Sequence, residues 1–487
     1  MPSQPTRAKI GIFGIGLAAY WPQFEGLRER LEGYQREVEA RLSSFGAEVI
    51  SAGLVDTAPA ALAAGDLFTQ ANVDMLICYV GTYATSSQVL PAVQRVKKPV
   101  LVLNLQPTAA MDYENTDTGE WLANCCACCV PEISNAFARS RIDFNVVSGQ
   151  LHEDARAWGI ISDWVQAASV MRSLNRSRIG FLGHTYPGML DMYSDFTMIH
   201  AQTGAHVEVL EMDDLEKRVQ TVSAVAIRAK EQEIAWTFEI AMPGRDKISM
   251  TVSEDALAWA ARVACGLDDL VRDFDLNGLT YYYRGLDGNP SEVLGASLIV
   301  GNSLLTARGV PCAGEGDLKT NLSMLIMDRF GAGGSYTEFY AMDFAEQFIL
   351  MGHDGPMHVA IAEGKPLLRG LGLFHGKRGY GLSVEAKVKY GPITILGTTQ
   401  TAEGRLKFLV AEGESIPGKT MQIGNTNSRL RFAQSPAEFM DAWCLQGPTH
   451  HVALGIGHVR SKIEKLARMM GIEVVNIAQE KRLAASS

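Results

Sequence analysis

This sequence of 487 residues lacks any apolar run of the roughly 20 residues that a membrane-spanning helix needs. The apolar stretch from Ile10 to Tyr20 follows Arg7 and Lys9 and therefore loosely resembles a signal peptide. However, three glycines interrupt it, and no small-residue cleavage site of the usual kind follows. We interpret it as a first strand and its loop, and we expect a cytoplasmic protein with no membrane partner.

A block of positive charge is also missing. The 44 Lys and Arg residues are outnumbered by 54 Asp and Glu residues, which leaves a formal net charge of −10. Nucleic acids and anionic membranes are bound by clustered Lys and Arg, so neither is an expected partner. Small polar substrates, sugars among them, remain open.

The sequence has no internal repeat and no low-complexity segment, yet its length exceeds what one hydrophobic core supports. In the first part, near-continuous apolar runs alternate with helical stretches, which is typical of a parallel sheet covered on both faces. We predict an N-terminal, doubly wound α/β domain over residues 1–175. Its predicted strands are Lys9 to Phe13, Ala47 to Val55, Val73 to Val80, Pro99 to Leu105 and Phe144 to Ser148.

A second α/β unit begins at Arg178, and we predict a central domain over residues 176–330. From Met357 the pattern becomes alternating and predicts a mainly antiparallel β domain over residues 331–487. The fold class is thus α/β, with two doubly wound parallel-sheet domains followed by a mainly antiparallel C-terminal domain; the tail from Lys481 is predicted to be mobile. The predicted C-terminal strands are Met357 to Ala362, Leu382 to Tyr390, Pro392 to Thr399 and Arg405 to Glu412.

The segment from Gly14 to Ala19 matches G-x-G-x-x-A after a first strand, the fingerprint of dinucleotide binding. Trp21 and Pro22 interrupt the expected helix start, and Asp56 lies about twice as far on as the ribose-binding acid should. We favour a tight turn that lines a substrate cleft. An NAD(P)-dependent dehydrogenase remains the less favoured alternative.

Four of the eight cysteines are crowded into one short segment, Cys125, Cys126, Cys128 and Cys129. Such a cluster could attract zinc or an iron–sulfur cluster, but adjacent cysteines do not form the usual C-x₂-C chelate and no second cluster exists. We favour small buried residues at the end of a strand or the start of a helix, while a thiol facing the cleft stays open.

The segment from Cys312 to Thr320 places Glu315 between two glycines, just before a predicted helix from Leu318 to Phe330. Glycines let the backbone turn sharply and approach a ligand closely. Asp317 is a suitable N-cap for the helix. Glu315 is therefore expected to be displayed at the mouth of a loop.

Three further groups occur in Gly-rich or turn-like contexts: Glu338, His353 and the pair His450 and His451. Carboxylate oxygens and neutral imidazoles together suit a divalent first-row ion, Mn²⁺ especially. The opposing interpretation is that Glu315 caps or pairs locally, that Glu338 begins a helix, and that the histidines are ordinary polar residues.

A loop after the strand at Arg178 carries His184, Asp191 and Asp195. It could supply substrate contacts, or the aspartates could cap a helix.

At this point the chain resembles the L-arabinose isomerase family, within the wider L-arabinose/L-fucose isomerase superfamily. Residues 313–320 are similar to that family's A-G-E-G-D-x-K-T segment. The Gly-Gly pair before Glu338, the Met-Gly pair before His353 and the Gly-Pro-Thr that precedes His450 and His451 follow in the family's order and at similar separations.

The resemblance implies an aldose–ketose isomerase whose Mn²⁺ is held by Glu315, Glu338, His353 and His451. It also implies that the two glutamates act as acid and base, moving a proton between C1 and C2 of the open-chain sugar through a cis-enediol. His450 would contact a sugar hydroxyl or steady the neighbouring metal ligand. Family members assemble as trimers and hexamers, so the resemblance also implies a homo-oligomer.

Three departures from the family fall on the substrate side. Cys128 aligns with a family histidine that is thought to help open the sugar ring. The family's N-terminal G-S-Q-H-L-Y-G loop is replaced by a segment that contains Tyr20, and Glu338 lies one residue closer to its Gly-Gly pair. We predict substrate-binding roles for His450, Cys128, Tyr20 and His184.

We therefore predict a metal-dependent sugar isomerase, an intramolecular oxidoreductase acting on a pentose or related sugar. The alternative is a sugar-binding or sensory protein of the same fold that does not catalyse turnover. The sequence identifies neither the sugar nor whether Cys128 takes over the missing histidine's task.

Overall fold

The computed structural model describes residues 6–244, 249–283, 289–371, 373–374, 377–378 and 381–477. The predicted mobile tail from Lys481 lies outside these residues. In the described part of the chain, no helix is long and apolar enough to cross a bilayer. The chain divides into two compact units, residues 5–172 and the part from residue 173 onward.

The unit of residues 5–172 contains a five-stranded, all-parallel sheet in the order β2-β1-β3-β4-β5. Its strands are β1 (Lys9–Ile15), β2 (Glu48–Val55), β3 (Met75–Tyr79), β4 (Val100–Gln106) and β5 (Phe144–Gln150). Its helices are α1 (Leu27–Ser44), α2 (Ala58–Ala71), α3 (Ser86–Gln94), α4 (Thr118–Leu122), α5 (Val130–Arg139) and α6 (Ala155–Leu174).

The apolar pattern of the sequence accounts for this sheet. Every residue of the central strand β3 is buried, as expected for a parallel strand with helices on both faces. In α1, Leu27, Leu31, Val38 and Leu42 are buried on one side of an otherwise charged helix. All five strands predicted for this unit are present.

The second unit begins with a four-stranded parallel sheet in the order β11-β10-β6-β7. Its strands are β6 (Arg178–Gly183), β7 (His206–Leu210), β10 (Gly278–Tyr282) and β11 (Cys312–Ala313), and between them the chain forms the short strands β8 (Glu239–Ile240) and β9 (Ser249–Met250). The helices are α7 (Phe196–Thr203), α8 (Met212–Thr221), α9 (Ala224–Thr237), α10 (Glu254–Asp273), α11 (Pro290–Gly295), α12 (Ile299–Ala307) and α13 (Leu318–Arg329).

The remaining chain forms an antiparallel sheet in the order β18-β21-β12-β13-β20-β19, which closes on itself because β18 also pairs with β19. The strands from residue 333 onward are β12 (Gly333–Asp343), β13 (Phe348–His353), β14 (Leu367–Leu371), β15 (Leu373–Phe374), β16 (Lys377–Arg378), β17 (Leu382–Glu385), β18 (Gly391–Gln400), β19 (Leu406–Ile416), β20 (Thr426–Arg431), β21 (His451–Ile456) and β22 (Glu473–Asn476). The helices are α14 (Pro436–Cys444) and α15 (Arg460–Met470).

The predicted fold class, two parallel-sheet α/β parts followed by an antiparallel part, is confirmed. One predicted strand is wrong, and another is shorter than predicted. The segment from Met357 to Ala362 contains a short 3₁₀ turn, Val359–Ile361, and the strand from Leu382 ends at Glu385. Apolar side chains in both segments are buried on the shared core, so burial without a β ladder produced the misleading pattern. The boundaries at residues 175 and 330 stay predictions.

Candidate metal centre and active site

Glu315 lies in the loop that joins β11 to α13. Its backbone is in the left-handed region, with φ 60°, and Gly316 follows with φ 71°. A Cβ on Gly316 would lie 2.5 Å from the carbonyl oxygen of His184, so only glycine fits there. The loop therefore turns sharply against its neighbours, and the side chain of Glu315 is displayed, as predicted.

The Oε2 atom of Glu315 is buried without a hydrogen-bond partner, although the side chain as a whole is 23% exposed. That oxygen lies 3.5 Å from Nε2 of His451 and 3.9 Å from Nε2 of His450. Burial is the main cause that raises the pKa of Glu315 above its ordinary value. A buried carboxylate oxygen without a donor fits a site for a cation or a transferable proton.

Asp317 has a second task besides the predicted N-cap of α13. Its Oδ1 accepts the backbone N–H of Thr320 at 2.9 Å, which confirms the cap. Its Oδ2 lies 3.0 Å from Nδ1 of His451, and both side chains are fully buried. Because an ionised carboxylate only accepts hydrogen bonds, the proton of His451 resides on Nδ1 and its Nε2 presents a lone pair.

The titration of this pair is consistent with that assignment. Burial lowers the pKa of His451 to about 4, so its imidazole is neutral near pH 7. Burial alone would raise the pKa of Asp317, but the interaction with His451, the hydrogen bond from the backbone of Thr320 and the charge of Lys319 together outweigh it, and the pKa falls below its usual value. No motif connects Asp317 with His451, and their separation along the chain does not predict that they are in contact.

Glu338 is brought to the same place by the register of the antiparallel sheet. On β12 it lies opposite His451 on β21 and opposite Gly352 on β13, and His353 follows Gly352. Directly opposed residues on antiparallel strands have neighbouring side chains. The interpretation that Glu338 begins a helix is therefore wrong, since it lies within a strand.

The two buried histidines face each other. Nε2 of His353 lies 3.2 Å from Nε2 of His451, while Nδ1 of His353 lies 3.1 Å from Oδ1 of Asp354. The backbone N–H of Gly355 also approaches this Nδ1, at 2.9 Å, and we assign the Nδ1 proton to the charged carboxylate as the stronger partner. Burial lowers the pKa of His353, but the hydrogen bond and charge of Asp354, together with the charges of Glu338 and Glu315, raise it above its ordinary value. When His353 is neutral, both Nδ1 protons are directed at carboxylates and two Nε2 lone pairs converge on one point.

Among the described residues, two groups of three side chains bring ligand atoms within 4.8 Å of one another: Glu315, His450 and His451, and Glu338, His353 and His451. His451 belongs to both groups. Two carboxylates and converging imidazole lone pairs suit a divalent first-row ion. The residues present therefore fit a divalent metal, and the donor set alone does not select the ion.

His450 is held from the other side by Asp191. Oδ2 of Asp191 accepts the backbone N–H of His450 at 3.0 Å and lies 2.6 Å from its Nδ1. Burial raises the pKa of Asp191, but the hydrogen bonds from His450 lower it further, to below its ordinary value. Asp195, not Asp191, caps the following helix, through the N–H of Met198.

The loop that carries Asp191 rests on a buried lysine. Nζ of Lys319 donates to the carbonyl of Tyr193 at 2.9 Å and to Oγ of Ser194 at 3.1 Å. Burial lowers the pKa of Lys319. These hydrogen bonds anchor the segment of residues 191–194 and so fix the position of the Asp191 carboxylate, which orients His450.

Replacing Asp191 with alanine is expected to raise KM about tenfold, with a smaller change in kcat, because a charged hydrogen bond that orients His450 is lost. Steady-state kinetics on the accepted sugar measure both constants. Asp213→Ala, an exposed acid in the first turn of α8, is the matched control and should leave KM unchanged. A kcat that falls with KM unchanged would contradict a positioning role for Asp191.

Beside Glu315 and His353 lies a cavity of about 190 Å³. Tyr186 and Met189 of the loop after β6 line it, together with Tyr282. Tyr186 and Tyr282 pack with ring centroids 4.6 Å apart. The donor groups and this cavity form one continuous site within the second unit.

His184 lies behind the cavity wall. Its ring contacts Tyr282 edge-on, with centroids 5.1 Å apart, and its Nδ1 lies 2.8 Å from the carbonyl of Thr185. Its predicted role in substrate binding stays a prediction.

The chain is similar in sequence to several known proteins. A model of the C-terminal domain of L-fucose isomerase matches residues 341–478. An L-arabinose isomerase of a Nocardioides species is 23% identical over 412 residues, which cover 82% of this chain and 79% of that protein. The L-arabinose isomerase of Aeromonas salmonicida is 23% identical over 444 residues, covering 84% of this chain and 82% of the other. The chain is thus similar to L-arabinose isomerases over more than four fifths of its length.

The chain is also similar to a protein named for another sugar. The sulfoquinovose isomerase of Priestia aryabhattai is 19% identical over 411 residues, covering 82% of this chain and 85% of that protein. The predicted family resemblance is thus confirmed. Because the names of the relatives differ in the sugar, the substrate of this chain has to be argued from its own site.

Two predicted substrate residues belong to the unit of residues 5–172. Tyr20 ends a 3₁₀ turn, Ala18–Tyr20, after β1. Cys128 is exposed, whereas Cys125, Cys126 and Cys129 are buried just before α5, which confirms the predicted setting for three of the four thiols. The roles of Tyr20 and Cys128 stay predictions.

The glycines of the first loop pack against the chain itself. A Cβ on Gly14 would lie 2.4 Å from Oε1 of Gln35, and one on Gly16 would lie 2.8 Å from the ring of Trp21. The next helix, α1, begins only at Leu27. The geometry favours a tight turn and lacks the helix N-terminus that a dinucleotide pyrophosphate requires at this point.

Proposed function

We propose that this arabinose isomerase relative is an aldose–ketose isomerase acting on a pentose or a related sugar. Its relatives are named as sugar isomerases, which supports the general class. One observation carries the proposal to this chain: Glu315 and Glu338 belong to two donor groups that share His451, each with its ligand atoms within 4.8 Å of one another, and the buried Oε2 of Glu315 has no donor.

In this proposal Glu315, Glu338, His353 and His451 hold a divalent ion, Mn²⁺, with His451 common to both donor groups. When bound, such an ion stabilises the negative charge that develops on the carbonyl and hydroxyl oxygens at C1 and C2. Asp317 keeps the His451 lone pair directed inward, and Asp354 does the same for His353.

The two glutamates move the proton. Glu315, whose pKa is raised by burial, is suited to take a proton from carbon and return it, since a base works best with a pKa nearer the operating pH. Glu338 serves the oxygens on the other side, so that the sugar passes through a cis-enediol without a redox cofactor. His450, oriented by Asp191, contacts a sugar hydroxyl.

The remaining parts of the proposal concern the residues that contact the sugar, the oligomeric state and the location in the cell. Tyr20, Cys128 and His184 contact the sugar, and Cys128 occupies the place of the family's ring-opening histidine. The chain works as a homo-oligomer, a trimer or hexamer, in the cytoplasm. These parts are supported by the sequence resemblance.

Metal analysis combined with an aldose panel tests the function. The purified protein should contain a divalent ion, lose activity on treatment with a chelator and recover it with Mn²⁺. The panel of pentoses, deoxyhexoses and tetroses should yield a ketose from at least one member. Sugar binding without any ketose would favour the non-catalytic sugar-binding alternative, and a fluorescence change with NAD(P)H would favour the dehydrogenase.

A further inference from the structure

The four clustered cysteines of the unit of residues 5–172 differ in what their thiols contact. The thiol of Cys126 donates to the carbonyl of Leu105 at 3.5 Å, and the thiol of Cys129 donates to the carbonyl of Thr82, also at 3.5 Å. Both side chains are buried in the apolar core of the unit. Because these two thiols are shielded and already bonded, they serve the packing of the unit.

The other two thiols of the cluster, those of Cys125 and Cys128, are neighbours. They lie three positions apart, and a turn at residues 127–129 leads from them into α5. The thiol of Cys125 shares a hydrogen bond with the side chain of Cys128 and accepts another from its backbone N–H. Hydrogen bonds to sulfur act only at short range, so the two sulfur atoms lie beside each other.

Only one thiol of this pair is open to solvent. Among the eight cysteines, all of which lie in the described part of the chain, Cys128 and Cys444 are exposed. Cys125 is only 4% exposed, and burial is the main cause that raises its pKa to about 12. A dissolved oxidant therefore reaches Cys128, while Cys125 waits behind it with its proton in place.

The charges near Cys128 oppose each other. The N-terminus of α5, which follows closely, favours a thiolate. Glu132 in the first turn of α5 disfavours one, and its two oxygens accept the backbone N–H of Ser86 at 3.0 Å and the hydroxyl of Tyr83 at 3.3 Å. Access to solvent and the adjacent second thiol, more than the local field, thus set Cys128 apart from the other cysteines.

We propose that Cys128 and Cys125 are an oxidative modification site, in which a hydroperoxide oxidises Cys128 and Cys125 then closes a disulfide with it. In the first step the Cys128 sulfur attacks the peroxide, the O–O bond breaks, and a sulfenic acid and an alcohol or water form. In the second step an S–S bond forms and the S–O bond breaks. The hydroxyl group leaves as water with the proton of Cys125, so two thiols have supplied the two electrons that reduce the peroxide.

One consequence of this modification rests on the proposed function, which gives Cys128 a contact with the sugar. A disulfide withdraws the Cys128 thiol from that contact, so turnover stops until a dithiol reduces the bond. Disulfides of cytoplasmic proteins are usually transient and serve redox sensing, which agrees with the proposed location.

Hydrogen peroxide, added to the metal-loaded full-length protein, tests the site directly. Differential alkylation and peptide mass spectrometry should find a disulfide between Cys125 and Cys128, the other cysteines still reduced, and complete reversal by dithiothreitol. A lasting sulfenic or sulfinic acid on Cys128 beside a free Cys125 would refute the site. A disulfide to another cysteine or to a second chain would refute it as well.

Substitution of the second thiol provides a test with a matched control. With dimedone, which traps sulfenic acids, labelling of Cys128 should be about tenfold higher in Cys125→Ser than in the original protein, because closure no longer removes the acid. Cys444→Ser makes the same change at the other exposed cysteine and should label Cys128 as the original protein does. Equal labelling in all three proteins would overturn the role of Cys125.

Cys125→Ala separates the loss of the thiol from a disturbed core. Its labelling should match that of Cys125→Ser, and both variants should keep the thermal unfolding midpoint of the original protein. A rise confined to the serine variant, accompanied by a lower midpoint, would mean that loosened packing exposes Cys128, and it would contradict closure by Cys125.

Sugar turnover distinguishes this site from the proposed function. Peroxide should lower turnover at least about tenfold and dithiothreitol should restore it, in the original protein and in Cys444→Ser alike. If the disulfide forms but the untreated protein converts no aldose, the isomerase proposal fails and the site stands. If the disulfide forms and turnover is unchanged, the control of turnover is refuted together with the sugar contact of Cys128.

Discussion

Replacing Glu315 with glutamine is expected to reduce turnover by about a thousandfold or more, because the amide keeps the size of the side chain but loses its basicity and most of its metal affinity. The fold should be retained. Burial raises the pKa of Glu315, which means that the ionised form is less stable in the folded chain than in water. An uncharged amide relieves that cost, so the metal-free variant should unfold at the same temperature as the original protein or higher.

The measurement combines sugar turnover, bound metal per chain and the thermal unfolding midpoint without metal. Glu403→Gln is the matched control, since Glu403 is an exposed residue of a turn and the same atoms change. Normal rates in the Glu315 variant would show that another carboxylate abstracts the proton. A large drop in the unfolding midpoint would show that Glu315 has a structural role instead.

Replacing Asp317 with asparagine is expected to weaken metal binding by about 10- to 100-fold, the usual effect of removing a carboxylate that orients a ligating histidine. Asparagine is as good an N-cap as aspartate, so the start of α13 should be preserved. What is lost is the charged acceptor 3.0 Å from Nδ1 of His451, which fixes the tautomer that keeps the lone pair on Nε2.

Asp195→Asn is the control for Asp317→Asn. Asp195 caps α7 through the N–H of Met198, so the two substitutions alter equivalent caps but only one of the two aspartates contacts a histidine.

The pKa of Asp317 is lowered in the folded chain. The stability that Asp317 contributes to the fold is therefore present above its unfolded pKa and is lost as the pH falls through the lower folded value. Unfolding and metal titration are therefore compared at pH 7, and equal metal affinities for the two variants would disprove an orienting role for Asp317.

Local patterns predicted the elements that depend on nearest neighbours. The apolar runs at β1, β3 and β4 are strands that are buried on both faces, whereas the edge strands β2 and β5 are only partly buried. The helix after Glu315 begins where Asp317 can cap it. The segment from Met357 to Ala362 was misassigned because buried apolar side chains look alike in a strand and in an irregular segment.

Local patterns did not predict contacts between residues that are distant in sequence. Asp191 and His450 are 259 positions apart, and their hydrogen bond follows from where two loops end, which no local pattern encodes. Tyr186, Met189 and Tyr282 carry no motif, yet they form the wall of the cavity beside Glu315. Such residues were missed because their function depends on shape, and shape arises only when the elements pack.

The sequence by itself determined the candidate functional groups: the carboxylates of Glu315, which lies between glycines, and Glu338, and the imidazoles of His353 and His451. Their order resembles that of the L-arabinose isomerase family. The tertiary structure decided what those groups can do together. The register of β12 against β21 sets Glu338 beside His451, and burial leaves the Glu315 oxygen without a donor. Distances and desolvation are properties of the packed chain, and they, more than residue identity, set the pKa values and the direction of each lone pair.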